Sequence, residues 1–170
     1  QAELPELILE EIYEIQGSVG DTEAVTTVVL LELAGKVSGY LFMLMDAPSA
    51  EQIADALTGQ KHSHDNLDDT DISALKEMGN IFSGNSLKSL SDFLGVDIFH
   101  SPPELVTDLL GAIIDSLVLE TGSANESVML THQTFQLNKT SAQFRLFFLF
   151  NPASTAFILE KTGLMVGESK

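Results

Sequence analysis

The chain has 170 residues and no cysteine, and its 25 Asp and Glu against 8 Lys and Arg give a formal net charge of −17. This balance excludes nucleic acid and anionic membrane surfaces as partners, because phosphate binding needs clustered Lys and Arg. Hydrophobic residues make up 44% of the chain, so the acidic residues lie on a folded body with a core, in keeping with a cytoplasmic protein.

The first part of the chain predicts three strands, at residues 7–15, 25–34 and 36–45. Polar residues and glycines at 16–21 are typical of a hairpin turn between the first two strands. Pro48 then opens a helix over residues 50–57, and Gly59 ends it in the position that favours glycine. The apolar runs are far shorter than the ~20 residues that cross a bilayer, so membrane insertion is not expected.

A polar, acidic linker at 60–70 leads into a long helix, predicted from Asp71, its candidate N-cap, to Leu94. Beyond a break at Pro102 and Pro103, the chain predicts a helix, two paired strands and a last helix, at residues 104–119, 128–137, 142–150 and 153–161. The predicted fold class is α+β, with an antiparallel β-sheet and long helices packed on it.

Two short patterns recur in the same order along the chain. The segment Leu4-Pro5-Glu6-Leu7 recurs as Pro102-Pro103-Glu104-Leu105, and the Pro48 to Gly59 segment recurs as Pro152 to Gly163. Shared local physics could produce either repeat alone, whereas two repeats in the same order favour a duplicated unit.

A duplication predicts a single domain made of two related halves, at about 1–60 and 71–164. The long helix stands directly before the second Pro-Glu-Leu, so its counterpart would precede Gln1. We therefore expect the first half to lack its leading helix, either because it was cut away or because it was never built. A neighbouring chain could cover the apolar surface left behind, which makes a homodimer a further hypothesis.

The long helix carries a narrow polar stripe. At ~100° per residue, Ser73, Glu77, Asn80 and Gly84 fall within about 60° of one another. Glycine inside a helix is unfavourable by ~1 kcal/mol relative to alanine, and it often indicates that another group must approach closely. A polar outer face with a Glu and an Asn three residues apart is also common by chance, so the stripe alone does not identify a site.

The opposite side of this helix is apolar and predicts the face that docks on the sheet. Its members are Leu75, Met78, Phe82, Leu90 and Phe93.

The wider pattern is Ser73-x3-Glu77-x2-Asn80 followed, after twenty-two residues, by Pro103. It resembles the signature of the CheC, CheX and FliY family of chemotaxis phosphatases. Further segments resemble the same family, most of all its CheC-type members, at residues 77–81, 84–85, 91–95 and 102–106.

The resemblance implies a hydrolase that removes the aspartyl phosphate of a CheY-type response regulator in two-component chemotaxis signalling. It implies that Glu77 engages the active-site lysine of the regulator and that Asn80 orients the attacking water, with Ser73, Gly84 and Pro103 at the partner-binding surface. Positioning a water can be most of the catalysis in phosphoryl transfer. The resemblance gives the protein no metal or cofactor of its own, because Mg²⁺ belongs to the regulator.

A non-catalytic role is the alternative. CheC-type proteins also pair with the receptor deamidase CheD, and flagellar switch proteins share the architecture without the catalytic pair. Among the remaining polar residues, His62-Ser63-His64-Asp65 has metal-like content but favours an ordinary solvated loop, and His100 and His132 are interpreted as structural.

Overall fold

The computed structural model describes residues 6–11, 14–59, 67–122, 127–137 and 141–163. Its strands are β1 Glu6–Glu11, β2 Val25–Gly35, β3 Gly39–Asp46, β4 Ile98–His100, β5 Glu104–Leu109, β6 Ser127–Gln136 and β7 Gln143–Phe150. Its helices are α1 Ile15–Val19, α2 Ala47–Thr58, α3 Asp69–Leu94, α4 Leu110–Thr121 and α5 Pro152–Thr162.

The strands form one seven-stranded sheet in the order β1-β6-β7-β3-β2-β4, and β5 also pairs with β2. Every pairing is antiparallel. Apolar side chains of α2, α3 and α5 form a core with one face of the sheet, and those of α1 and α4 form a second core with the other face. The predicted α+β class with an antiparallel sheet is therefore confirmed. None of the described helices is long and apolar enough to cross a membrane.

The two outer ladders of the sheet have equivalent registers. β1 pairs with β6 from Glu6↔His132 to Glu11↔Ser127, and β5 pairs with β2 from Glu104↔Leu30 to Leu109↔Val25. Between them, β3 and β7 pair directly at the centre of the sheet, where the rings of Phe42 and Phe147 stack with their centroids 4.9 Å apart.

The helices that follow the central strands also begin and end alike. Asp46 caps α2 by accepting from Ser49 N at 2.8 Å, and Asn151 caps α5 by accepting from Ser154 N at 2.8 Å. Each helix ends at a glycine in the left-handed region, Gly59 or Gly163. A duplication would produce this arrangement; the two related halves and the missing leading helix stay predictions.

Several local predictions are wrong. Strand β1 covers Glu6–Glu11, and the predicted strand over 7–15 overlaps α1 at Ile15. Residues 16–21 do not form a hairpin turn, because 15–19 make up α1, whose Ile15 and Val19 lie one turn apart and are both fully buried. The predicted helix over 104–119 is strand β5 followed by α4. No glycine or proline separates these two elements in the sequence, so the change of period at Leu109 was not evident.

The long helix begins at Asp69, before the predicted position, and the prediction of Asp71 as its N-cap is wrong. Asp68 is its N-cap and accepts hydrogen bonds from the backbone N–H groups of Thr70 and Asp71 at 2.8 and 2.9 Å. The Asp71 carboxylate in turn accepts from Asp68 N at 3.1 Å, which completes a capping box. The predicted end of the helix is confirmed, since Gly95 is left-handed and donates to Ser91 O at 2.8 Å.

The apolar face of α3 docks on the sheet as predicted, with one exception. Leu75 and Met78 are buried, and Phe82 packs edge-on against Phe144. Phe93 is 72% exposed. It faces an open cavity of about 620 Å³, whose other lining residues include Phe148 of β7, so the sheet does not close over its ring.

Candidate active site

The candidate site lies along the outer side of α3. Ser73, Glu77 and Asn80 are all exposed there. Their orientation follows from the opposite side of the helix, where Gly79 lies directly against Val29 of β2. A Cβ atom at residue 79 would stand 2.6 Å from Val29 Cγ1, so the glycine permits the close approach that holds the polar stripe outward.

The loop between β4 and β5 faces this stripe. We call residues 101–103, which follow β4, the proline loop. The stripe and the loop enclose an open cavity of about 570 Å³, the site cavity, which is lined by Ser73, Lys76, Glu77, Asn80, His100, Ser101, Pro102 and Pro103.

The site cavity brings together four of the five residues predicted from the sequence: Ser73, Glu77, Asn80 and Pro103. Gly84 is exposed one turn beyond Asn80 and does not line the cavity. A Cβ atom at residue 84 would have no neighbour within 4 Å, so packing within the chain does not require a glycine here. The catalytic and partner-binding roles of all five residues stay predictions.

Ser101 fixes the proline loop to the sheet. Its N–H donates to Glu32 O at 2.9 Å, and its hydroxyl oxygen accepts from Glu32 N at 3.0 Å. The same hydroxyl donates to Pro102 O at 3.1 Å. The loop is therefore tied to β2, the strand on which α3 also packs, and the two walls of the cavity share one support.

His100 belongs to the cavity, although the sequence favoured a purely structural histidine. It pairs with Leu33 in the β2–β4 ladder, and its Nδ1 lies 2.9 Å from Ser101 O. A carbonyl oxygen can only accept a hydrogen bond, so Nδ1 carries the proton and donates it to Ser101 O. Nε2 takes no part in this hydrogen bond. Lys76, Ser101 and Pro102 were also missed. The available signals were the family pattern that ends at Pro103, the repeat around Pro102-Pro103 and the position of Lys76 beside Glu77.

The cavity offers one carboxylate, one carboxamide, one ammonium, one imidazole and two serine hydroxyls. An asparagine side chain can donate and accept hydrogen bonds without adding charge, which suits contact with a water beside an anion. Among the described residues, no group of three or more His, Asp or Glu is placed to hold a metal ion. Residues 62–65, with two histidines, lie outside the described residues.

Comparison with known proteins finds a curated relative of this chain. It is 28% identical over 131 residues to the CheY-P phosphatase CheC of Bacillus subtilis, a match that covers 75% of this chain and 63% of that protein. The chain thus spans less than two thirds of the length of this relative.

Two solved structures have the same fold. FliY of Thermotoga maritima matches with a TM-score of 0.73 and 19% identity, over 95% of this chain and 81% of the other. CheX of Borrelia burgdorferi, solved in complex with CheY, BeF3 and Mg²⁺, matches with a TM-score of 0.52 and 18% identity, over 82% of this chain and 95% of the other.

A family model described as chemotaxis phosphatase CheX matches residues 27–121, from β2 through α3 and the proline loop to α4. This segment is more than half of the chain and contains every residue of the site cavity. The chain belongs to the CheX family of chemotaxis phosphatases.

Proposed function

We propose that this protein dephosphorylates the aspartyl phosphate of a CheY-type response regulator. The observation that supports this most directly is the exposed placement of Glu77 and Asn80 on one face of α3, at an open cavity that a partner can enter. The curated relative is a CheY-P phosphatase, and the CheX of Borrelia burgdorferi forms a complex with CheY. The proposed substrate implies a cytoplasmic protein.

Asn80 would act on the water. Its amide oxygen accepts a hydrogen bond from a water in line with the phosphorus–oxygen bond of the aspartyl phosphate, and its amide nitrogen can donate to a phosphoryl oxygen. The water oxygen forms a bond to phosphorus as the bond to the aspartate oxygen breaks. The aspartate leaves as a carboxylate, and the water proton goes to the released phosphate. A neutral carboxamide places no like charge beside the anion.

Glu77 would act on the partner and not on the phosphate. It lies about one turn from Asn80, and its carboxylate would pair with the active-site lysine of the regulator, which holds α3 in register. Ser73 and Pro103 border the same cavity and would contact the regulator on either side, while Gly84 would allow its backbone to approach the helix. Mg²⁺ would be held by the regulator; the CheX–CheY complex of Borrelia burgdorferi also contains BeF3 and Mg²⁺.

The test compares two asparagines of the same helix. The protein is incubated with a phosphorylated CheY-type regulator and Mg²⁺, and the loss of phosphate is followed for the wild type, Asn80→Ala and Asn85→Ala. Asn85 is exposed on α3 and lies outside the site cavity, so its substitution controls for helix propensity and surface change. We expect Asn80→Ala to lower the turnover by at least about tenfold and Asn85→Ala to keep it. Equal rates for both variants would overturn the catalytic role of Asn80.

A second outcome would point to the alternative function. A wild-type protein that binds the phosphorylated regulator without accelerating its hydrolysis would be a regulatory binding module, with CheD or a flagellar-switch assembly as its partner. Binding and turnover are therefore measured on the same preparations, by titration with the regulator and by release of inorganic phosphate.

A further inference from the structure

Positive charge is scarce in this protein, which carries 8 Lys and Arg in 170 residues against 25 Asp and Glu. Those in the described residues are Lys36, Lys76, Lys88, Arg145 and Lys161. One of them, Lys76, lines the site cavity. In a chain of net charge −17, a lysine in the cavity provides a local positive charge that can attract an anionic group of a partner.

Most of the other described cations already interact within the chain. Lys36 lies 5.0 Å from the centre of the Phe157 ring, and Arg145 lies 5.2 Å from the centre of the Phe147 ring. Lys88 is 3.2 Å from the carboxylate of Asp92, one turn further along α3. Among the residues that the structure describes, no carboxylate forms an ion pair with Lys76, so its ammonium group is available to a partner.

Lys76 and Glu77 flank Asn80 on opposite sides. On a helix with ~100° per residue, Lys76 is rotated about 40° from Asn80 in one direction and Glu77 about 60° in the other. A neutral carboxamide thus lies between a cation and an anion on one exposed face. This arrangement of charges favours one orientation of the docked partner, in which its negative group faces Lys76 and its positive group faces Glu77.

His100 adds a second group on the opposite wall of the cavity. Its Nδ1 is engaged by Ser101 O at 2.9 Å, which orients the ring and leaves Nε2 for contacts outside the loop. The Ser101 hydrogen bonds to Glu32 hold this wall against β2.

We infer that Lys76 and His100 form a second binding arm of the site cavity, which contacts the anionic phosphorylated face of the regulator while Glu77 contacts its lysine. The inference rests on the proposed function for the identity of the partner. Lys76 supplies a charge-assisted contact to a carboxylate or phosphoryl oxygen, and His100 supplies Nε2 on the facing wall. The two residues increase binding and set its orientation; Asn80 alone contacts the attacking water.

The experiment separates binding from turnover. Binding is measured by titration with the CheY-type regulator that carries BeF3⁻ and Mg²⁺ in place of the phosphoryl group. Lys76→Met is compared with Lys88→Met, which removes the same charge from the same helix outside the cavity. His100→Asn tests the other wall, since an asparagine amide can replace Nδ1 as the donor to Ser101 O but nothing replaces Nε2.

We expect Lys76→Met to weaken binding by roughly three- to tenfold at low salt, with a smaller effect at high salt, and to raise KM with little change in kcat. Lys88→Met should bind like the wild type, and His100→Asn should weaken binding without unfolding the protein. If Lys76→Met binds as tightly as Lys88→Met, the second arm does not exist. A failure of the proposed function would give a different result, namely full turnover by Asn80→Ala.

Discussion

Gly79 of α3 lies directly against Val29 of β2: a Cβ atom at residue 79 would stand 2.6 Å from Val29 Cγ1. Val29 is fully buried in β2, which pairs with β3 on one side and β5 on the other, so its side chain has little room to shift. This contact sets the depth of α3 on the sheet. The height of Glu77 and Asn80 above the site cavity follows from it.

Gly79→Ala should therefore destabilise the protein, although alanine favours helix. Overpacking a core costs about 1–3 kcal/mol, which exceeds the ~1 kcal/mol gained in helix propensity. Urea denaturation should show a lower midpoint. The double variant with Val29→Ala gives the control, because removing Cγ1 makes room for the new methyl group. The double variant should lose less free energy of unfolding than the sum of the two single variants, and simple additivity would contradict the steric explanation.

Gly84→Ala should have the opposite effect on stability. A Cβ atom at this exposed position would meet nothing within 4 Å, so the substitution should raise the free energy of unfolding by about 0.5–1 kcal/mol. If the regulator approaches the helix backbone here, the same variant should bind the regulator more weakly. The two measurements together test the role of Gly84. A more stable variant with unchanged affinity would remove this residue from the partner-binding surface.

Ser101→Ala should loosen one wall of the site cavity. The substitution removes the hydroxyl that accepts from Glu32 N at 3.0 Å and donates to Pro102 O at 3.1 Å, at a cost of about 1–2 kcal/mol in stability. The proline loop borders the cavity, but Asn80 and not the loop orients the attacking water. KM for the phosphorylated regulator should therefore rise more than kcat falls. Ser101→Thr keeps the hydroxyl and should recover most of the loss. A fall in kcat alone would contradict this positioning role.

The sequence predicts the central elements of the fold because their signals are local. Gly59, Gly95 and Gly163 end helices at the predicted residues, and each is left-handed. Strand β5 was missed because its identity depends on pairing with a distant strand. Thr107, for example, lies opposite Thr27, with the two hydroxyl oxygens 3.0 Å apart.

Most residues of the site on α3 could be predicted from the sequence, whereas most of those on the facing loop could not. Ser73, Glu77 and Asn80 follow helical spacing on one element, so their common face could be inferred before the structure. His100 and Ser101 join them because β4 pairs with β2 beside α3, a contact that helical periodicity does not indicate and that only the family pattern ending at Pro103 suggested. Phe93 has the spacing of a core residue and yet is exposed, since periodicity shows the direction of a side chain and not whether the sheet extends beneath it.

Tyr40 should make the stability of the fold sensitive to alkaline pH. Its hydroxyl donates to the carboxylate of Glu120, and burial, followed by this hydrogen bond and the charges of Glu120 and Glu32, raises the pKa of Tyr40 well above its usual value. A pKa that is higher in the folded state than in the unfolded state means that the folded state holds the proton more tightly.

The stabilisation from this proton is fully present below about pH 10, the pKa of an ordinary tyrosine, and is lost as the pH rises above that value. The free energy of unfolding should therefore begin to fall near pH 10 in the wild type and continue to fall as the pH rises further. Tyr40→Phe cannot ionise, so its decline over the same range should be shallower. Urea denaturation at each pH measures both curves. Parallel curves would show that other groups cause the alkaline loss, and that the Tyr40–Glu120 contact does not determine it.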